Sequence, residues 1–258
     1  MPVLMRPWGH MHYNDVNPGG GPAVVFVGSL GTDLRMWRGV TSRLPFRCLS
    51  LDKRGHGLSA TPDAPWTVQD LAADVLALMD HLNLPSAVIA GCSVGGLVAM
   101  ATALAAPDRV TGLIVSNAAA RMGTAEAWQA RIATIEADGL AAIADTIMER
   151  WFAAPFRARP EFLIWRTLFL HTDVPGYIAT CRALAAADLR AEVPRIACPV
   201  LMLTGSEDLG TPPSLVHETA ALIPGAQVAL LEGSGHIPAI DAPTKVATLI
   251  TGFVGGAG

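Results

Sequence analysis

The sequence predicts an α/β fold: a mostly parallel central sheet with helices on both faces, carrying a helical insertion. Three observations predict it. Short uninterrupted apolar runs, such as Ala23–Val27 and Val88–Ala90, read as strands covered on both faces, which is how parallel strands appear in sequence. These runs alternate with segments of helical period, the rhythm of strand–helix–strand units. The alternation stops between about residues 121 and 189, where only helical runs occur, and then resumes.

Composition narrows the class. At 258 residues the chain suits one sizeable domain carrying an insertion. With 51% hydrophobic and 16% charged residues it can fill a large core, and disorder is not expected. The net charge is −4 and no long basic run occurs, so a nucleic-acid partner is not expected. Cys48, Cys92, Cys181 and Cys198 are scattered, as free thiols in a reducing compartment would be. Pro2, Pro7 and Gly9 sit where a secretory signal needs an apolar core, and no apolar run reaches membrane-spanning length. The expectation is a soluble, cytoplasmic protein with no membrane partner.

In chain order, Met11–Val16 reads as an edge strand closed by a turn at Gly19–Pro22. His10 and His12 alternate on it and are expected at the surface, since no nearby Asp, Cys or His completes a metal set. The buried strand Ala23–Val27 runs into Gly28-Ser29-Leu30-Gly31-Thr32-Asp33, a loop whose backbone amides can face an anion. No Gly-Lys-Ser/Thr follows, which disfavours a phosphate loop. Strand Phe46–Leu51 is closed by the polar, glycine-rich Asp52–Ser59, where His56 reads either as a base or as part of a turn. Thr67–Asp70 caps a helix whose apolar positions are Leu71, Val75, Leu78, Met79 and Leu82.

Next comes Val88-Ile89-Ala90-Gly91-Cys92-Ser93-Val94-Gly95-Gly96, a buried strand turning sharply into a helix with Ser93 on the corner. Gly91 and Gly95 stand two residues either side, where a Cβ would crowd the turn. Strand Val110–Val115 precedes Ser116-Asn117-Ala118. Helical runs then cover Thr124–Ala137, Gly139–Phe152, Pro160–His171 and Val174–Ala187, rich in aromatic residues that mostly pack the insertion's own core. The expected division is a core of residues 1–120 and 190–258, with 121–189 as a cap or lid over the sheet's carboxyl edge. The sheet resumes at Val200–Gly205, followed by Asp208, and ends at Gln227–Leu231, followed by His236.

Ser93, Asp208 and His236 therefore all lie just past the carboxyl ends of strands, on one edge of a parallel sheet. A serine hydroxyl becomes a nucleophile when an imidazole takes its proton and a carboxylate holds that imidazole. The order Ser, Asp, His is the one found at a strand–turn–helix nucleophile. Asp33, Asp52 and Asp241 are weaker candidates for the acid. The oxyanion of a tetrahedral intermediate needs preorganised donors. The backbone amides of Val94 and Leu30 are the candidates.

These motifs resemble the α/β-hydrolases over almost the whole chain: Gly91-Cys92-Ser93-Val94-Gly95, Asp52–Ser59, Asp208 and His236. More narrowly, Ser29–Trp37, Asn117–Thr124 with Trp128–Ile132, Glu149–Phe152 and Thr211–Pro213 are similar to stretches of 3-oxoadipate enol-lactonases. The resemblance implies an α/β-hydrolase fold, a serine mechanism without metal or organic cofactor, and a small carboxylate-bearing lactone or ester as substrate. Such a substrate calls for a cation in the cap, and Arg131, Arg121 and Arg150 are candidates. Arg131 lies one helical turn from Trp128, and Trp128, Arg131 and Trp151 are the expected substrate-binding side chains. A broad-range carboxylesterase or lactonase, a cofactor-free perhydrolase, and a non-catalytic ligand receptor are the competing readings.

Overall fold

A computed structural model describes residues 1–19 and 21–256. Gly20, in the turn expected at 19–22, lies outside the described residues. Eight strands form one sheet: β1 (Val3–Arg6), β2 (Gly9–Val16), β3 (Ala23–Val27), β4 (Arg47–Leu51), β5 (Ala87–Cys92), β6 (Val110–Ser116), β7 (Val200–Gly205) and β8 (Gln227–Leu231). Their order is β1-β2-β4-β3-β5-β6-β7-β8. Every pairing from β4 through β8 is parallel, whereas β2 pairs antiparallel with both β4 and β1. The chain moves outward from β3 to β4, then returns to place β5 on the other side of β3. That reversal is a topological switch point, where parallel sheets bind ligands beyond their carboxyl ends.

The helices, in order, are α1 (Arg38–Thr41), α2 (Val68–His81), α3 (Val94–Ala105), α4 (Ala125–Asp138), α5 (Ala141–Trp151), α6 (Ala154–Arg157), α7 (Glu161–Leu170), α8 (Val174–Ala186), α9 (Pro213–Leu222), α10 (Pro238–Asp241) and α11 (Pro243–Gly256). Helix α2 begins where the sequence places it, with a capping box: Thr67 Oγ1 accepts from Asp70 N–H, and Asp70 accepts from Thr67 N–H. Five helices, α4 to α8, intervene between β6 and β7. Their aromatic rings pack edge to face, Trp151 on Phe169 at 5.6 Å and Phe169 on Tyr177 at 5.7 Å. Hydrogen bonds tie this segment to the sheet loops: Thr61 Oγ1 to Asp173 at 2.9 Å, His236 N to Trp151 O at 2.9 Å, and Leu189 N to Ala120 O at 2.8 Å. Among the described residues, no helix is long and apolar enough to cross a membrane.

Two expectations change at the sheet's start. Met11–Val16 is an edge strand only in part, because the short β1 pairs with Gly9–His12 while Tyr13–Val16 pair with β4. His12 is consequently buried rather than at the surface, and its Nδ1 lies 2.8 Å from Asp52 Oδ2. His10 is exposed, as expected. A four-residue strand bounded by Pro2 and Pro7 offers too little apolar alternation to read from sequence.

The strand–helix corner is built on close approach. A Cβ on Gly95 would overlap the carbonyl oxygen of Val27, and one on Gly91 would overlap the carbonyl of Gly95. Helix α3 thus packs directly on the backbone at the end of β3. Gly95→Ala is expected to lower unfolding free energy by about 3 kcal/mol, an overpacking cost with rigid backbone on the other side. Urea unfolding checks this, and unchanged stability would mean that α3 can slide away from β3.

Candidate active site

Four neighbouring parallel strands each present one polar residue just beyond the carboxyl end: Ser93 after β5, Asn117 after β6, Asp208 after β7 and His236 after β8. Ser93 has φ 58° and ψ −120°, a strained backbone for a residue with a side chain. The turn is held by Ser93 N–H donating to Ser116 O at 2.9 Å. It places the side chain at the N-terminus of α3, where backbone amides and the helix dipole favour negative charge.

The structure brings Asp208 and His236 together. His236 Nδ1 lies 3.0 and 2.9 Å from the two Asp208 oxygens. The carboxylate also accepts from Gly210 N–H at 2.7 Å, Thr211 N–H at 2.9 Å and Asn117 Nδ2 at 2.8 Å. Burial alone would raise its pKa, but His236, Asn117 and Thr211 together hold it below the usual carboxylate value. Ser93 Oγ makes no hydrogen bond to His236 among the described residues, although both line one cavity. Such contacts commonly tighten only once a substrate is bound.

The other acids have other duties. Asp52 accepts from Leu34 N–H at 2.7 Å, Leu58 N–H at 2.9 Å and His12, and so braces the loops after β3 and β4. Asp241 accepts from Ser234 Oγ and from Gly235 N–H, shaping the His236 loop, and burial raises its pKa. Asp33 caps the short 3-10 turn at Leu34–Trp37 and pairs with Arg35. His56 is no base for the chemistry. Its Nε2 accepts from Gly31 N–H at 3.1 Å, its Nδ1 lies 3.0 Å from Arg54 O, and burial followed by the Lys53 charge keeps it neutral.

Around Leu30 the loop's amides are mostly engaged. Ser29 N–H meets Met36 Sδ at 3.2 Å, Gly31 N–H meets His56, and Thr32 N–H meets Ser29 O at 3.3 Å. Among the described residues, the amides of Leu30 and Val94 have no partner. Leu30 lines the cavity with Ser93, while the Val94 side chain is fully buried behind the turn.

That cavity encloses about 130 Å³, and its far wall comes from the helices between β6 and β7. Trp128, Arg131, Arg150, Trp151 and Tyr177 all face it. The Arg131 guanidinium lies 4.5 Å from the centroid of the Trp128 ring. Neither Arg131 nor Arg150 has a carboxylate partner among the described residues, and both act on the buried Tyr177 hydroxyl, whose pKa burial pushes up. Arg121 is not brought to this site: it faces a separate surface groove and lies 3.7 Å from Asp188. No group of three or more His, Cys, Asp or Glu side chains among the described residues is arranged to hold a metal ion.

Residues 24–249 match the alpha/beta hydrolase family. The chain belongs to that family. This hydrolase is 37% identical to 3-oxoadipate enol-lactonase 2 of Acinetobacter baylyi, over 82% of the chain and 84% of the relative. It is 35% identical to 3-oxoadipate enol-lactonase 1 of the same organism, over 92% of the chain and 90% of the relative. The enol-lactonase structure from Burkholderia xenovorans LB400 superposes with a TM-score of 0.94 at 37% identity, covering 98% of this chain and 99% of that one. The hydrolase acts on ester bonds.

Asn117 is the site residue that sequence reasoning passed over. It is fully buried, has φ 50°, and bridges Asp208 to the Gly235 carbonyl at 3.2 Å. An Asn directly after a buried strand, flanked by the serine and aspartate strands, was the available signal. Asn117→Ala is expected to cost about 1–3 kcal/mol near pH 7, the worth of one hydrogen bond to a buried carboxylate that keeps its other donors. Asp208 has a folded pKa below its ordinary 3.8, so its stabilisation is complete above 3.8 and lost as pH falls through the folded value. The Asn117→Ala penalty therefore shrinks in acid; urea melts at neutral pH and near pH 3 measure it, and an equal penalty at both would contradict the role.

Proposed function

We propose that this hydrolase opens a small carboxylate-bearing lactone, of the 3-oxoadipate enol-lactone type, through an acyl-enzyme on Ser93. Residues 1–120 and 190–258 form the catalytic core in this reading, and 121–189 form a cap that supplies the substrate-recognising wall. Ser93 Oγ attacks the lactone carbonyl as its proton passes to His236 Nε2, with Asp208 fixing the tautomer at Nδ1 and stabilising the imidazolium. The amides of Leu30 and Val94 receive the oxyanion. Collapse breaks the ring C–O bond and releases an enolate oxygen, which takes a proton and tautomerises to the ketone while the chain stays bound as the Ser93 ester. Water, losing a proton to His236, then attacks that ester and releases the diacid. An enol leaves more readily than an alkoxide, so the general-acid step matters less here than in simple ester hydrolysis. This sequence of steps calls on no metal or organic cofactor.

The observation that carries the reading is the shared cavity. It places Ser93, His236 and Leu30 opposite two unpaired arginines in a space of about 130 Å³. An engineered apolar cavity of about 150 Å³ holds benzene, so this one suits a substrate of one small ring. Arg131 stacks on Trp128, with Trp151 beside it in the wall, and a planar guanidinium suits bidentate contact with a carboxylate. The names of the enol-lactonase relatives support the same substrate class.

Ser93→Ala is expected to lower kcat on the enol-lactone by a factor on the order of 10⁴ or more. Steady-state hydrolysis with both proteins confirmed folded measures this. Arg131→Ala should reduce kcat/KM for the anionic lactone about 10- to 100-fold, the worth of a charge-assisted hydrogen bond, and leave a neutral ester of similar size within about threefold. Equal losses on both substrates would remove Arg131 from carboxylate recognition. A wild-type kcat/KM on the enol-lactone no better than on simple esters would remove the substrate assignment itself.

A further inference from the structure

Lys53 is a buried charge that the proposed chemistry leaves unused. It is the second residue after β4, is 2% exposed, and its Nζ donates to the Ser29 carbonyl oxygen at 2.9 Å. That is its one hydrogen bond among the described residues, and no carboxylate forms an ion pair with it there. An ammonium so placed is expensive for the fold. The Ser29 carbonyl does not require it either, because Thr32 Oγ1 donates to the same oxygen at 2.8 Å and Thr32 N–H at 3.3 Å.

What Lys53 touches is one end of a particular peptide unit. The carbonyl of the Ser29–Leu30 peptide accepts from Lys53, and the amide of that same peptide is the free Leu30 N–H at the cavity. The oxygen and nitrogen of a peptide share one conjugated system. A cation at the oxygen withdraws density from the nitrogen and makes the N–H a stronger donor, as in any polarised hydrogen-bond chain. The next amide, Gly31 N–H, is held by His56 Nε2. Two side chains of the Asp52–Ser59 loop therefore clamp the backbone on both sides of Leu30.

We propose that Lys53 is a positioning residue whose ammonium, bound to the Ser29 carbonyl, orients and polarises the Ser29–Leu30 peptide and so strengthens the Leu30 N–H as oxyanion donor. This rests on the reading of Ser93 as nucleophile and of the Leu30 amide as part of the oxyanion site. The gain appears only when negative charge develops on the substrate oxygen, so it belongs to kcat and not to KM.

The groups whose charges act on Lys53 are the carboxylates of Asp52 and Asp33, the Cys92 thiol and the His56 ring. Burial lowers the Lys53 pKa to about 8, with the two carboxylates and Cys92 acting in the opposite direction. Burial also drives the Cys92 thiol up, and His56 stays neutral. A Ser–His–Asp site keeps its kcat once the histidine is neutral, so loss of the Lys53 proton is expected to appear as a fall in kcat at alkaline pH that Lys53→Met lacks. Stability moves the other way. The folded value of about 8 lies below the ordinary 10.5, so the cost of the buried charge is full below pH 8 and is relieved as pH rises from 8 to 10.5.

The test is Lys53→Met, which keeps the stem and removes the charge. The expected result is a fall in kcat of about tenfold, less than the 10²–10³ lost when a whole oxyanion donor is removed, with KM within about twofold. The Tm at pH 7 should be unchanged or raised. Affinity for a phenylboronic acid, which forms a tetrahedral adduct on the serine, should fall by the same factor as kcat. In the wild type, kcat should decline above about pH 8, and in Lys53→Met it should stay level to pH 9.5. A variant with wild-type kcat, a loss of kcat that comes with a lowered Tm, or an alkaline decline of kcat that is the same in wild type and Lys53→Met would each overturn the proposal. Turnover surviving in Ser93→Ala would instead overturn the nucleophile reading, whatever Lys53 does.

Discussion

Helix α3 reaches the working edge of the sheet because only hydrogen stands between Gly95 and the carbonyl oxygen of Val27. That approach sets the separation of β3 from the serine turn, and hence of Leu30 from Ser93. It lies at the switch point of the sheet, where the loops after β3 and β5 diverge and leave a crevice. The Ser93 backbone is strained as a result, at a cost of about 1–3 kcal/mol. The fully buried Cys92, Val94, Leu97 and Val98 hold it there. A looser corner would relax the strain and lose the alignment together.

With the corner in place, the polar groups of the site divide by position rather than by type. Among the described residues two buried His–Asp pairs occur, His236 with Asp208 and His12 with Asp52. Their contacts are alike, 2.9 and 2.8 Å. Only His236 shares a cavity with Ser93; His12 sits on β2, and its partner spends its remaining capacity on the amides of Leu34 and Leu58. Asp241 shapes the histidine loop from behind, Asn117 holds the catalytic-edge carboxylate, and Lys53 with His56 fixes the loop that carries Leu30. These four side chains lie behind the cavity wall and do not line the cavity itself.

Much of this was legible from the chain. Buried parallel strands such as β3, β5 and β7 are continuous apolar runs, and the loops after β5, β7 and the more exposed β8 carry Ser93, Asp208 and His236. The capping box at Thr67 and Asp70 and the four longer helices between β6 and β7 follow from local chemistry that tertiary packing does not override. The short β1 was not legible, and its absence from the reading put His12 at the surface. Helix α9, opening on Pro213, and α11 also went unread, although both have ordinary helical composition. Among the arginines considered after β6, helical spacing from Trp128 pointed to Arg131, which lines the cavity, but spacing could not separate Arg121, which meets Asp188, from Arg150, which also lines the cavity.

The sequence by itself determined the fold class, the family resemblance and the three strand-end residues, because each depends on local period or on position along one chain. Only the tertiary structure decided which of four aspartates meets His236, which histidine is spent on the backbone, and which arginines share a space with Ser93. Those are distances between groups far apart in sequence, set by how closely glycines let backbones approach and by which strand lies next to which. The peptide between Ser29 and Leu30 joins the two levels. Its residues were readable as an anion-facing loop, but the ammonium behind it comes from the loop after a different strand, and only packing brings them together.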